Sequence, residues 1–217
     1  MLKIYGSDLS SPSNKVRFTA NALNLPYEYI KINLREGENR KKEFLALNPF
    51  AKIPVIDDND FVLFESNAII KYLASKKNTP LYPWDLQQKA LIDQWIDFIT
   101  MHIGVNLSKV MYNRVFYKFR GDTVDERSIT DGLKFLGQYF PTIDAQIYKN
   151  TFVVSKEFTL ADIVLLATLD PAEVAEIDLS SYQNITRWRN ELKKKDFYTK
   201  CYKEYGEMLK QPVGAKK

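Results

Sequence analysis

Up to about Lys77 the apolar positions come in short bursts separated by polar turns; beyond about Leu86 they recur at helical spacing over long stretches. Leu2 to Tyr5 is a brief apolar segment ending at Gly6, and Ser7 to Ser13 is rich in turn formers. Val16, Ala20 and Leu23 then fall at i, i+4 and i+7, one face of a helix. Pro12 suits the first turn of that helix, where its missing N–H removes no bond. Tyr27 to Ile32 alternates as a strand does, and Lys41 to Leu47 predicts a short helix that stops before Asn48-Pro49. Ile53 to Ile56 and Phe61 to Phe64 flank the polar Asp57-Asp58-Asn59-Asp60, which predicts a hairpin turning there. Ile69, Ile70 and Leu73 carry another helix. The order is βαβ, a helix, a β-hairpin and a helix: an α/β N-terminal layer with strands of mixed direction.

Asn78 to Asp85 contains Pro80 and Pro83 and no helical period, so it reads as a linker. The C-terminal part of the chain reads as all-α. Ile129, Leu133, Leu136, Phe140, Ile143 and Ile147 step alternately by 4 and 3, a long amphipathic helix in which Pro141 predicts a kink or a break. Trp95, Phe98, Ile99, His102 and Ile103 line a similar face, with His102 expected as a hydrogen-bonded core residue. Thr159-Leu160-Ala161-Asp162 is a capping box in front of an apolar run. The expected organisation is a first domain at 1–77, a linker at 78–85, an all-helical bundle domain at 86–210 and a frayed tail at 211–217.

Composition changes this picture chiefly by exclusion. The 217 residues include one histidine and one cysteine. A Ser-His-Asp triad could draw only on His102, and a Cys/His zinc site, a CxxC pair and an iron–sulfur cluster are out of reach of Cys201 alone. The expectation is no metal, although carboxylates could still build an all-oxygen site. Net charge is +4, with basic residues interleaved with acids, which argues against a nucleic-acid partner. No apolar run approaches the length of a membrane span, and Met1 to Gly6 lacks a signal peptide's apolar core, so the expected location is cytoplasmic, with Cys201 reduced. Any reactive group is then a hydroxyl, a carboxylate or something the substrate brings.

Candidate chemistry sits where a backbone can hold an anion. Ser10-Ser11-Pro12-Ser13 opens the first helix, Glu65-Ser66 opens the third, and in Lys52-Ile53-Pro54 a proline opens a strand. Helix N-termini present free N–H groups and partial positive charge. A proline at the head of a strand suits a cis bond, which turns the preceding backbone outward, where an extended peptide can pair with it. Ser11, just before Pro12, reads as the helix N-cap and competes with Ser10 for any role of the loop.

With these motifs in order, the chain resembles the soluble glutathione S-transferases. The resemblance rests on Lys-Ile-Tyr-Gly at the start, the Ser-Ser-Pro-Ser loop, Asn-Leu-Arg-Glu-Gly-Glu at 33–38, Glu-Phe-Leu-Ala-Leu-Asn-Pro-Phe-Ala-Lys-Ile-Pro-Val-Ile at 43–56 and Leu-Phe-Glu-Ser-Asn-Ala-Ile at 63–69. It is dense over residues 1–76 and thinner beyond, through Gln94-Trp95 and Phe158 to Asp162. It implies a thioredoxin-like first domain, an all-helical second domain, a homodimer and glutathione as co-substrate. The nearest subtype looks like the serine-type classes, theta-like and phi-like, in which a serine after the first strand assists the glutathione thiol.

That serine matches Ser10, with Ser11 as the fallback. A thiol with pKa near 8.5 must be shifted by about two units, roughly 2.7 kcal/mol, to be mostly thiolate at neutral pH. A hydroxyl donor and a helix N-terminus can supply this. By the same resemblance Glu65 and Ser66 would take the γ-glutamyl group, Ser66 also being able to N-cap its helix. Ile53, before a cis Pro54, would pair with the cysteinyl backbone, and Lys52 would lie near the glycyl end. Asn39 and Arg40 stand where the serine-type classes often have His-Lys, which leaves the hold on the glycyl carboxylate altered. Phe50 resembles the aromatic key inserted into the partner subunit, and Tyr5 reads as a strand residue. Met101, Val105, Tyr112, Phe116 and Tyr117 are candidates for a site taking a small hydrophobic electrophile. Cys201, beside Tyr198 and Tyr202, reads as a structural thiol. The implied activity is conjugation of glutathione to such electrophiles, a detoxifying reaction. The alternatives are a non-catalytic binding module of the same fold and a glutathione-dependent reductase or dehalogenase.

Overall fold

The computed structural model describes residues 1–209, with the backbone alone for 119, 120 and 208; the expected tail at 211–217 lies outside the described residues. β1 (Leu2–Gly6) leads through α1 (Ser11–Ala22) to β2 (Tyr27–Lys31), which runs parallel to β1, as a helical crossover allows. A 3-10 turn at Glu38–Arg40 and the single-turn α2 (Lys42–Leu45) come next. β3 (Val55–Asp58) pairs antiparallel with β1 on its other side, and β4 (Phe61–Phe64) completes the order β2-β1-β3-β4. Ile4 stands opposite Tyr29 and Ile56, and both isoleucines are fully buried beneath α1 and α3 (Ser66–Ser75). The first domain is thus the mixed-sheet α/β layer that the alternation of apolar bursts predicts, and the thioredoxin-like domain that the resemblance implies.

The hairpin is tighter than predicted. Its turn is Asn59-Asp60 alone, with φ of 55° and 70°, the geometry that suits a two-residue connection. Asp57 and Asp58 join the strand instead. Asp58 is buried there because Lys76 Nζ and Tyr72 Oη donate to its Oδ2 at 2.6 and 2.9 Å. At the other end the strand begins at Val55, two residues later than the apolar run, since Pro54 has no N–H to give the ladder.

The second domain is helical. α4 (Leu86–Phe98), a π-helical stretch (Ile99–Gly104), α5 (Val105–Met111), a second π stretch (Tyr112–Phe116) and α6 (Tyr117–Arg120) succeed one another directly. α7 (Glu126–Asn150) runs unbroken through Pro141, contrary to the expected kink or break. Pro141 is exposed, and Gly137, whose carbonyl faces the ring, has open space beside it, so that carbonyl can tilt toward water. α8 (Leu160–Leu169) is buried along its whole length and packs on both α1 and α4. α9 (Gln183–Lys193) and α10 (Asp196–Thr199) complete the domain, and α10 returns to α1.

His102 departs from expectation. The buried positions are Ile92, Ile96, Ile99, Ile103, Leu107 and Val110. The wider π turn between them carries His102 to an exposed edge, where its ring lies against Phe98 and Tyr139, with centroids 5.0 and 5.6 Å apart. It is a surface aromatic contact and not a core histidine.

Candidate active site

Sheet register gathers the candidate motifs at one edge. Ile30, Tyr5, Val55 and Phe64 lie side by side across the four strands. The loop carrying Ser10 leaves just past Tyr5, the segment carrying Asn39 and Arg40 leaves past Ile30, Ile53-Pro54 arrives just before Val55, and Glu65-Ser66 comes after Phe64. Residues distant in sequence therefore share one end of the sheet.

Gly6 lets the first loop close on the strand: a Cβ there would meet Ser13 Cβ at 2.8 Å. Ser10, not Ser11, is the N-cap of α1. Its backbone is extended (φ −99°, ψ 105°), and its Oγ accepts from Ser13 N–H at 3.2 Å. A hydroxyl that accepts this bond keeps its own proton for an outside acceptor. Ser11 is instead the first residue of α1. Ser13 is buried, with its Oγ near Ser7 N–H at 3.4 Å. Asp8 braces the loop against α1 and β2, accepting from Arg17 at 2.8 Å and pairing with Lys31 at 2.7 Å.

The stretch before β3 is shaped by a residue that the sequence presents only as a helix stop. Asn48 is buried, donates to Lys52 C=O at 2.8 Å and accepts from Phe50 N–H at 3.1 Å. Ala51 takes φ +55° inside this turn, and Asn39 Nδ2 donates to its carbonyl at 2.7 Å. Asn39 is thus committed to the turn, while Arg40 and Lys52 are exposed. The Ile53–Pro54 bond is cis, and Ile53 lies beyond the end of the β1–β3 ladder. Phe50 is 68% exposed, touching Phe64 edge-on at 5.9 Å.

Glu65 holds φ +70° and ψ 107°, a conformation that disfavours a side-chain-bearing residue and marks functional sites. It, and not Ser66, occupies the N-cap of α3; Ser66 is the first helical residue, half-buried. Behind them lies a group not foreseen. Lys15 is buried in α1 and donates to Asn67 Oδ1 at 2.8 Å. Asn67 Nδ2 donates to Thr100 Oγ1 at 3.0 Å, which donates to Ile96 C=O at 2.7 Å, joining α3 to the helical domain. Burial pushes the Lys15 ammonium down to about 8, with Glu65 pulling the other way.

The electrophile candidates do not behave as a group. Met101 and Val105 are exposed on the first π stretch and the start of α5. Tyr112, Phe116 and Tyr117 are half-buried further on, and Tyr112 donates to Asp122. The C-terminal segment does touch the Ser10 loop, where Tyr205 Oη donates to Leu9 C=O at 2.8 Å. Cys201 Sγ accepts from Asn21 Nδ2 at 3.3 Å, and burial pushes its thiol up to about 11, so it stays protonated at neutral pH. A thiolate nucleophile has to come from outside the chain.

Comparison with known proteins agrees with this construction. Residues 2–75 match the profile of the glutathione S-transferase N-terminal domain and residues 108–196 that of the C-terminal domain. Glutathione S-transferase D7 of Drosophila melanogaster is 34% identical over 190 residues, 86% of this chain and 82% of that protein. A delta-class glutathione transferase of Nilaparvata lugens superposes with TM-score 0.83 at 30% identity, over 96% of each chain. Glutathione transferase F7 of Populus trichocarpa, at 23% identity, shares the fold, with TM-score 0.85 over 93% of this chain and 97% of that one. The chain belongs to the glutathione S-transferase family. Its relatives indicate a glutathione-conjugating transferase and do not favour the binding-module or reductase alternatives. Among the described residues, no helix is long and apolar enough to cross a membrane.

Proposed function

We propose that this transferase is of the serine type and that the Ser10 hydroxyl donates to the glutathione sulfur. The observation that carries this reading is the cap geometry: Ser10 Oγ accepts from Ser13 N–H, which leaves its proton for the thiolate at the head of α1. Donor and helix terminus act on the same charge, which exists only in the thiolate, so both lower the thiol pKa. Serine is a donor here and never becomes covalently attached. The thiolate then attacks the electrophilic carbon, forming the thioether as the leaving group departs with its electron pair.

In this reading Glu65 binds the γ-glutamyl ammonium, while Ser66 and the N-terminus of α3 bind the neighbouring carboxylate. Ile53 pairs its backbone with the cysteinyl residue, with Pro54 cis behind it. Lys52 and Arg40 are the cations for the glycyl carboxylate, and Asn39 acts indirectly, by holding the turn at Ala51. Met101, Val105, Tyr112 and Phe116 belong to the wall that meets the small hydrophobic electrophile. The functional division stays at a glutathione-binding domain 1–77, a linker 78–85 and a helical domain 86–210. The working form is a cytoplasmic, detoxifying homodimer with Phe50 as its key.

Ser10→Ala is the direct test. Loss of about two pKa units of thiolate stabilisation corresponds to a fall of up to ~100-fold in kcat/KM toward an aryl halide at neutral pH. The rate is expected to recover as pH rises. Unchanged turnover, or an equal fall in Ser11→Ala alone, removes Ser10 from this role.

A further inference from the structure

The peptide unit between Leu9 and Ser10 is pinned at both ends. Its N–H donates to Ser7 C=O at 3.0 Å, within the loop. Its carbonyl accepts from Tyr205 Oη at 2.8 Å, across 196 positions of sequence. Rotation of this plane changes φ of Ser10 and so the direction of its Cα–Cβ bond. Tyr205 is itself fixed. It is 5% exposed and its ring lies edge-on to Tyr202 at 6.0 Å. The next residue, Gly206, has φ +78° and sits so close to Val174 that a Cβ would meet its Cγ2 at 2.6 Å. Upstream, Arg17 donates to Cys201 C=O at 3.0 Å, and Tyr202 donates to the buried Asp170. The segment is thus tied to α1 and to the end of α8 just before one phenol, and packed on Val174 just after it. Burial pushes that phenol up, so it remains a donor at any working pH.

We propose that Tyr205 is a positioning residue: by holding the Leu9 carbonyl it sets the aim of the Ser10 hydroxyl, so the C-terminal segment governs thiol activation. The inference rests on the assignment of Ser10 to the sulfur. It also fits the division between the adjacent serines, since Ser10, the residue joined to the pinned carbonyl, is the N-cap, while Ser11 is the first helical residue.

The test is a titration of the enzyme-bound glutathione thiol by thiolate ultraviolet absorbance, with melting temperatures alongside, in wild type, Ser10→Ala, Tyr205→Phe, Gly206→Ala and Tyr202→Phe. Tyr205→Phe removes one oxygen. It is expected to raise the bound thiol pKa by about one unit and to lower kcat about tenfold at neutral pH. The KM for glutathione is expected to change less than about twofold, and kcat to recover at alkaline pH. Gly206→Ala displaces the ring without removing its hydroxyl and is expected to shift the thiol in the same direction. Tyr202→Phe, which loosens the segment at Asp170 but keeps the Tyr205 hydroxyl, is expected to lower the melting temperature and to raise the thiol pKa less than Tyr205→Phe does; an equal rise shows that the segment as a whole, and not the hydroxyl's hold on Leu9, sets the thiol, and overturns the inference. If Ser10→Ala raises the thiol pKa while folded Tyr205→Phe or Gly206→Ala leaves it at the wild-type value, this inference fails and the Ser10 assignment stands. If the thiol titrates in wild type as it does in free solution, both fail.

Discussion

Lys15 sits in α1 with its ammonium buried behind Glu65-Ser66, the γ-glutamyl site proposed above, a placement with opposite consequences for stability and for binding. Its folded-state value of about 8 lies below the ordinary 10.5. Between those values the unfolded chain holds the extra proton, so the native state gains stability as pH rises through this window. At pH 7 the full cost of the buried charge is present, offset in part by the bond to Asn67. Lys15→Met removes that cost and keeps the bulk. It is expected to stabilise the fold by ~1–3 kcal/mol at pH 7, a gain that shrinks toward pH 10. The same change releases Asn67, and with it the link from α3 to Thr100, so the KM for glutathione is expected to rise several-fold. Urea unfolding at the two pH values, with kinetics at pH 7, checks both halves. A variant destabilised equally at both pH values shows that the hydrogen bond outweighs desolvation.

Helix α8 shows what local sequence can and cannot reveal. Its start is legible: Thr159 and Asp162 form the predicted capping box, with Thr159 N–H donating to Asp162 Oδ2 at 2.9 Å. The further load on that carboxylate is not. Val153 N–H and Trp188 Nε1 also donate to Asp162 Oδ1, at 2.9 and 3.2 Å, from outside the helix. Asp162→Ala leaves these buried donors unpaired at once, and a loss of at least ~3 kcal/mol is expected in equilibrium unfolding. Asp162→Asn, which keeps one carbonyl acceptor, is expected to lose less. Equal stability of Asp162→Ala and wild type overturns this account. The same contrast runs through the chain. Strand bursts, helical stripes and caps are patterns over a few residues, so the βαβ-hairpin order and the helical second half are readable. Asn48, Lys15 and Tyr205 take their roles from partners that folding brings to them, and a lone polar letter carries no trace of that. Two differences are matters of period: the π turn moves His102 off the apolar face, and an exposed Pro141 passes through α7 where a carbonyl can tilt aside. Ser66 and Ser11 lose the cap position to the residue before each, a shift of one that composition alone cannot decide.

For the whole molecule, the continuous core and the uncovered apolar side chains lead to different conclusions. One cluster of buried residues runs from Ile4 and Phe18 in the first domain into α8, so the two domains fold against each other as a unit. Phe50 stands apart from it, 68% exposed on a turn that Asn48, Ala51 and Asn39 make rigid. A large aromatic on a rigid mount loses little entropy when it enters a partner's pocket, which is the property of a binding hot spot. Leu86 and Leu91 on α4 are exposed as well, at 81% and 50%. Phe50→Ala is therefore expected to weaken the proposed homodimer by ~2–4 kcal/mol, a ~30- to 1000-fold rise in the dissociation constant. The monomer's own melting should change little, since the ring buries little surface within the chain. Sedimentation velocity across a dilution series distinguishes the cases. A dimer that persists in Phe50→Ala at wild-type affinity moves the interface elsewhere, and a wild-type chain monomeric at every concentration removes it.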